Sequence, residues 1–256
     1  MNIINGYIPI IDLSSHPNVY NSFNITTPNK NPWEIFFNQP FGYTLDNVKK
    51  YGKNIKYIIC SYNYYQWPNT LIYYNNYLLD FWHNFAKNYL PIKDEIINEA
   101  IAKKKYLFKG SNNILGVLVR GTDYRTMKPS GHSIQPNIDI IFKDIQNMHI
   151  KNYYDWIFIT TEDEIIREKF IRKFGKKLKF IKSPTNIEYN ITKKQYLNYN
   201  INLKGNVQFF KIYLINIIIL SKCLDIICPL TGGAKGAFLF SEGFRNKIIY
   251  NLGKYK

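Results

Sequence analysis

Three features of the residue pattern predict an α/β protein built on a parallel sheet. Short apolar, β-branched runs, Ile114 to Val119, Trp156 to Ile159 and Leu224 to Cys228, read as strands buried on both faces. Helical stretches separate them at the spacing of right-handed crossovers. Each strand also stops abruptly in polar or glycine-rich sequence: Arg120 to Asp123, Thr160 to Asp163, and Thr231 to Gly236.

From the N-terminus, Tyr7 to Asp12 is a short strand candidate and Ser14 to Asn18 a polar loop. Trp33 to Phe37 predicts a short helix ended by Pro40 and Gly42, with Trp33 suited either to packing or to stacking on a sugar ring. Tyr57 to Ser61 is a further strand candidate. Between Tyr62 and Tyr89, the residues Leu71, Leu78, Leu79, Phe81, Trp82, Phe85 and Leu90 fit one helical face. Aromatic density on a basic chain also suits a stacking platform for single-stranded nucleic acid, but no Lys/Arg alternation tracks a phosphate backbone here, so a packed helix is preferred. Ile92 to Tyr106 predicts another helix, whose closing Ala102-Lys103-Lys104-Lys105 complements the negative end of the helix dipole. The stretch around Gly110 and Ser111 divides the chain into an N-terminal domain, 1–110, and a C-terminal Rossmann-like domain, 111–256.

In the second domain Asn137 caps a helix through Ile138, Ile141, Ile145 and Met148. Thr161 and Glu164 have capping-box spacing at the start of a helix carrying Ile165, Ile166, Phe170 and Phe174 and ending at Gly175. Leu178 to Ile181 is a third strand, and Pro184 to Lys204 a polar excursion. Val207 to Lys222 is apolar nearly all round, which predicts a buried helix. A final helix is expected from Ala237 and a last strand from Lys247 to Tyr250.

The 256 residues carry 34 Lys+Arg against 18 Asp+Glu, a net charge of +16. That balance favours an anionic partner such as a nucleotide, a nucleic acid or an anionic membrane surface, although Lys scattered among Asn, Ile and Tyr is also what AT-rich coding produces. Cys60, Cys223 and Cys228 make neither a disulfide framework nor a zinc site, and the chain opens without a secretory signal pattern, which together point to a cytoplasmic protein. Phe209 to Leu220 is too short for a bilayer, whose span takes about 20 apolar residues.

The three loops carry the chemistry. In a parallel sheet with right-handed crossovers they open on one edge and can converge on one ligand. Small residues at Thr231, Gly232 and Gly233 let backbone N–H groups approach a phosphate, and the helix that follows adds its positive dipole end. Arg120 can hold a diphosphate bidentately. Glu162 or Asp163 can accept hydrogen bonds from a base or ribose, or can simply be helix N-terminal charge.

As a set these loops resemble the GDP-fucose-dependent fucosyltransferase superfamily, most nearly bacterial O-fucosyltransferase-like proteins. Val117-Leu118-Val119-Arg120-Gly121-Thr122-Asp123-Tyr124 is similar to the His-x-Arg-x-x-Asp motif of that family, and Lys128-Pro129 through Gly131-His132 to Gln135-Pro136 to its bacterial branch. Ile159 to Asp163 resembles the second motif, and Ser221 to Asp225 with Thr231-Gly232-Gly233 and Leu239 to Gly243 the third. The resemblance implies a GT-B-like fold of two Rossmann-like domains, the N-terminal one incomplete if no strand–helix unit precedes Tyr7. It implies transfer of a sugar, most readily fucose from GDP-fucose, to an oligosaccharide or polysaccharide acceptor, with inversion and without metal. Arg120 and Asp123 would be catalytic, and Arg120, Glu162, Asp163, Thr231, Gly232 and Gly233 would hold the GDP-sugar. The motif's histidine position is Leu118, and the base of the core enzymes falls near Lys128, leaving Asp123 as the nearby carboxylate. A non-catalytic GDP-sugar or glycan binder is the alternative, and a basic nucleic-acid-binding protein the third reading. Peripheral contact with the inner face of an anionic membrane fits the charge.

Overall fold

The computed structural model describes residues 8–13, 31–51, 70–121, 124–125, 128–182 and 207–256. Among these residues five strands form one parallel sheet: β1 (Ile114–Leu118), β2 (Trp156–Thr160), β3 (Leu178–Lys179), β4 (Asp225–Pro229) and β5 (Lys247–Tyr250). Their order is β3-β2-β1-β4-β5. The chain builds outward from β1 to one edge, then returns to add β4 and β5 on the other side. This is a Rossmann-like α/β sheet, and its topological switch point lies between β1 and β4.

The expected apolar strands are buried along their whole length in β1 and β4. Alternation along β1 assigns the two faces. Leu115 and Val117, with Val119 just beyond the strand, join Ile157, Ile159 and Ile227 in a core shared with α5 (Ile138–Asn152) and α6 (Glu164–Phe174). Ile114 and Leu118 join Phe158, Ile226 and Cys228 under α7 (Val207–Ser221) and α8 (Gly232–Leu239). Each such Ile or Leu side chain removed from water contributes roughly 1.5–3 kcal/mol. α7 is apolar all round because it lies between the sheet and α4 (Asp94–Phe108), to which Lys211 and Glu99 also tie it through a 2.7 Å ion pair.

Before the sheet come α1 (Trp33–Phe36), α2 (Leu45–Tyr51), a 3₁₀ turn at Thr70–Tyr73, α3 (Asn76–Tyr89) and α4. Phe36, Ile72, Tyr73, Leu79, Ile92 and Ile96 belong to the same core as Ile114 and Leu118, so apolar packing runs continuously across residue 110. Trp33 stacks on Phe37 at 4.5 Å and donates its indole N–H to the Asn38 carbonyl, so it packs.

Several expectations are corrected. Residues 8–13 form no strand; side-chain amides satisfy their backbone instead, with Asn31 and Gln39 both donating to the Ile11 carbonyl and accepting from the Leu13 and Ile11 amides. α3 buries Leu79 and Ala86, but Leu71, Phe81 and Phe85 of the expected face are exposed. α8 starts at Gly232 rather than Ala237, because Thr231 caps it by accepting from the Ala234 amide at 3.2 Å. α6 is capped by Asp163, which accepts from the Ile166 amide at 3.1 Å, and Thr161 instead accepts from the Asp163 amide. The third strand shrinks to Leu178–Lys179. The expected strand at Tyr57 to Ser61, the excursion at Pro184 to Lys204, and Cys60 lie outside the described residues.

Candidate functional site

The exits of β1, β2 and β4 stand on one edge of the sheet, as parallel pairing with common register requires. Val119 still pairs with β2 through its amide to the Thr160 carbonyl, and Arg120 follows directly beyond the strand end. Its guanidinium Nη1 lies 3.5 Å from Glu162 Oε2, and the two side chains are 16% and 10% exposed. The Gly121 amide donates to the other oxygen, Glu162 Oε1, at 2.7 Å. Glu162 therefore bridges the β1 exit and the β2 exit, and orients the arginine from one side. On another side the guanidinium lies over the Tyr124 ring, 4.8 Å from its centroid.

Gly121 is required by close approach. A Cβ there would stand 2.2 Å from Asp163 Cβ and 2.5 Å from Asp163 Oδ2. Asp163 is thus pressed against the β1 exit by its neighbour and occupied on the other side as the α6 cap. Of the two acids expected at the ligand, Glu162 holds Arg120 and Asp163 holds a helix.

Across the switch point, Thr231, Gly232 and Gly233 form the cap and first turn of α8. The space beside Gly232 is open, with no atom within 4 Å of a Cβ placed on it. First-turn amides have no partner within the helix, and here they combine with the dipole to favour an anion. Gly233 meets the β1 side: a Cβ there would lie 3.5 Å from Leu118 Cδ2 and 2.7 Å from the hydroxyl oxygen of Tyr213. Leu118, at the histidine position of the motif, is 3% exposed and belongs to the apolar core.

Other residues of this edge gave little sequence signal. Tyr73, fully buried, donates its hydroxyl to the Thr231 carbonyl at 3.3 Å and so anchors the start of α8 to the N-terminal half of the chain. The segment from Lys128 to Pro136 is fastened by the C-terminal tail: Gly131 donates to Tyr255, Tyr255 to His132, and Ile134 to Gly253. Arg125 donates to the Pro136 carbonyl. Burial lowers the Arg125 pKa from its ordinary value, against the raising influence of Asp163 and Tyr255. Tyr213 sits in a helix that reads as core, and tyrosines at positions 73 and 213 look no different in sequence from the others in a tyrosine-rich chain. Asp123 and Thr122 lie outside the described residues.

Among the described residues no three His, Cys, Asp or Glu side chains gather as a metal site, and no helix is long and apolar enough to cross a membrane. Cys223 and Cys228 are buried, and burial pushes the Cys228 thiol up to about 12, so neither is a reactive thiolate.

No protein-family model and no curated protein matches the chain. Solved structures do. An alpha-1,6-fucosyltransferase, NodZ, soaked with GDP-fucose is similar over 60% of this chain and 44% of its own, with 16% identity and a TM-score of 0.42. The fucosyltransferase NodZ from Bradyrhizobium is similar at 15% identity and a TM-score of 0.37, over 59% of this chain and 43% of its own. POFUT1 in complex with GDP is similar over 70% of this chain and 52% of its own, at 8% identity and a TM-score of 0.43. The chain spans about half the length of the solved structures that it matches.

Proposed function

We propose that this chain is a GDP-sugar-dependent glycosyltransferase of the fucosyltransferase type, with residues 111–256 holding the donor and residues 1–110 on the acceptor side. The observation that carries the reading is the meeting of an arginine held by Glu162 and the glycine-rich start of α8 at the switch point of a parallel sheet. Arg120 and the first turn of α8 flank the crevice between β1 and β4, the place where open α/β sheets bind ligands. The motif resemblance names GDP as the nucleotide to try.

In this mechanism the diphosphate lies between the Arg120 guanidinium and the amides of the α8 first turn. As the glycosidic bond breaks, negative charge grows on the leaving diphosphate, and these donors gain strength with it. Glu162 holds the guanidinium in place from one side, so less reorganisation is needed as charge develops. An acceptor hydroxyl attacks from the opposite face, giving inversion, and Asp123 is the proposed carboxylate for its proton. A binder without turnover is the second reading, favoured by Leu118, whose apolar side chain supplies no donor beside Gly233.

The test is thermal unfolding with and without GDP. At 100-fold excess over the dissociation constant, binding stabilises the fold by ~2.7 kcal/mol, and an unchanged melting temperature refutes the nucleotide site. With GDP bound, release of GDP from GDP-fucose that depends on added oligosaccharide and disappears in Arg120→Ala separates the transferase from the binder.

A further inference from the structure

Tyr213 is a polar side chain in a largely apolar helix. From the middle of α7 its side chain reaches the site edge, where its hydroxyl oxygen stands 2.7 Å from the point at which a Gly233 side chain would begin. The same hydroxyl feels the charges of Arg120 and Glu162 and the Tyr124 phenol. One side chain therefore stands against the first turn of α8 and within electrostatic range of the β1 and β2 exits. Gly233 leaves the space that lets it do so. The residue as a whole is 39% exposed, with its hydroxyl oxygen lying against Gly233.

That hydroxyl makes no hydrogen bond to any described residue. Burial pushes its pKa up, Glu162 and Tyr124 add to the rise, and Arg120 opposes it, so the phenol stays protonated and remains a donor. A neutral donor with no acceptor among the described residues, set at a helix N-terminus and in the field of a guanidinium, has a bound anion as its natural acceptor.

We propose that Tyr213 is a binding residue of this site, its phenol donating a hydrogen bond to a phosphate oxygen held between Arg120 and the first turn of α8; the inference rests on the diphosphate reading above. The role is separate from that of Arg120. The arginine supplies charge from the β1 exit, and Tyr213 supplies a directed donor from α7.

Calorimetric titration of the full chain with GDP, inorganic pyrophosphate and guanosine tests it. Tyr213→Phe keeps the ring and removes only the hydroxyl, so GDP and pyrophosphate are expected to bind about tenfold more weakly, ~1.4 kcal/mol, with the unliganded melting temperature unchanged. Gly233→Ala displaces the hydroxyl from the other side, and the same weakening is expected. GDP affinity within twofold of the parent in Tyr213→Phe overturns the proposal, as does an equal loss for guanosine, which would move the contact to the base or ribose. If the parent chain binds no GDP at all, the diphosphate reading falls first and the proposal with it, an outcome distinct from a parent that binds and a variant that binds as well.

Discussion

Replacing Gly121 by alanine tests the way the site edge is built. The new methyl would begin 2.2 Å from Asp163 Cβ, whereas relaxed carbon contacts lie at about 3.5–4.0 Å. Asp163 cannot simply swing away, because its carboxylate caps α6 through the Ile166 amide and its own amide is held by Thr161. Both sides must therefore give way: the Gly121 amide loses its 2.7 Å bond to Glu162, and the push on Asp163 breaks its cap on α6. Losing the cap costs about 1 kcal/mol, and losing a hydrogen bond to a charged group about 1.5–3 kcal/mol. Alanine gains back about 0.4–1 kcal/mol by restricting the unfolded chain. The losses do not add fully, so a net destabilisation of about 2–3 kcal/mol is expected, or roughly 4–12 °C in Tm for a chain of this size. Urea denaturation should show a lower midpoint at unchanged slope. A change within ~0.5 kcal/mol, no larger than an ordinary surface substitution gives, would mean that the β1 and β2 exits do not touch as described, and with that the orientation of Arg120 by Glu162 would lose its basis.

The other predictions concern the cap and the opposite edge of the sheet. Thr231→Ala removes the α8 cap and should cost about 1 kcal/mol in stability, with Thr231→Ser restoring most of it, as read by thermal melting. Asp225, fully buried at the start of β4, accepts hydrogen bonds from Tyr154, from Arg245 at 2.6 Å and from the Asn246 amide at 2.7 Å. Burial alone would raise its pKa, but Arg245, Tyr154 and Asn246 together bring it below the usual carboxylate value. A depressed folded pKa means stabilisation that is complete above the unfolded value of ~3.9 and is lost as pH falls through the folded one. The parent chain should therefore lose stability on acidification below about pH 4, and Asp225→Asn, less stable at neutral pH, should lose less over the same range. An identical acid profile for the two chains refutes the assignment.

The strands described within 111–256 were legible where they are buried on both faces and so read as unbroken apolar runs. Ile114 to Val119 could hardly be anything else, and the parallel sheet followed from the helices between such runs. The start of α8 was misplaced because glycine is a poor helix former, and the cap bond of Thr231 outweighed that local preference. Leu71 in the 3₁₀ turn and Phe81 and Phe85 on α3 were expected inside because they are apolar, yet all three are exposed and only Leu79 and Ala86 of α3 are buried. Apolar residues also cover surfaces.

For the site, chemical type and chain position placed Arg120, Glu162 and Thr231 at strand ends, and no fold was needed to see that. Sequence could not divide labour between Glu162 and Asp163, since both precede the same helix and carry the same charge. Tertiary packing decided it: the press of Gly121 on Asp163 leaves that acid as a cap, and Glu162 turns to Arg120. Tyr213 and Tyr73 were invisible for a related reason. They come from segments far away in the chain, and only the layering of α7 on the sheet and of the 3₁₀ turn on α8 brings their hydroxyls to the switch point. Local propensity and burial pattern are properties of neighbouring residues, which a sequence records directly; contacts between distant side chains depend on how whole layers pack, and that is settled only when the chain is folded.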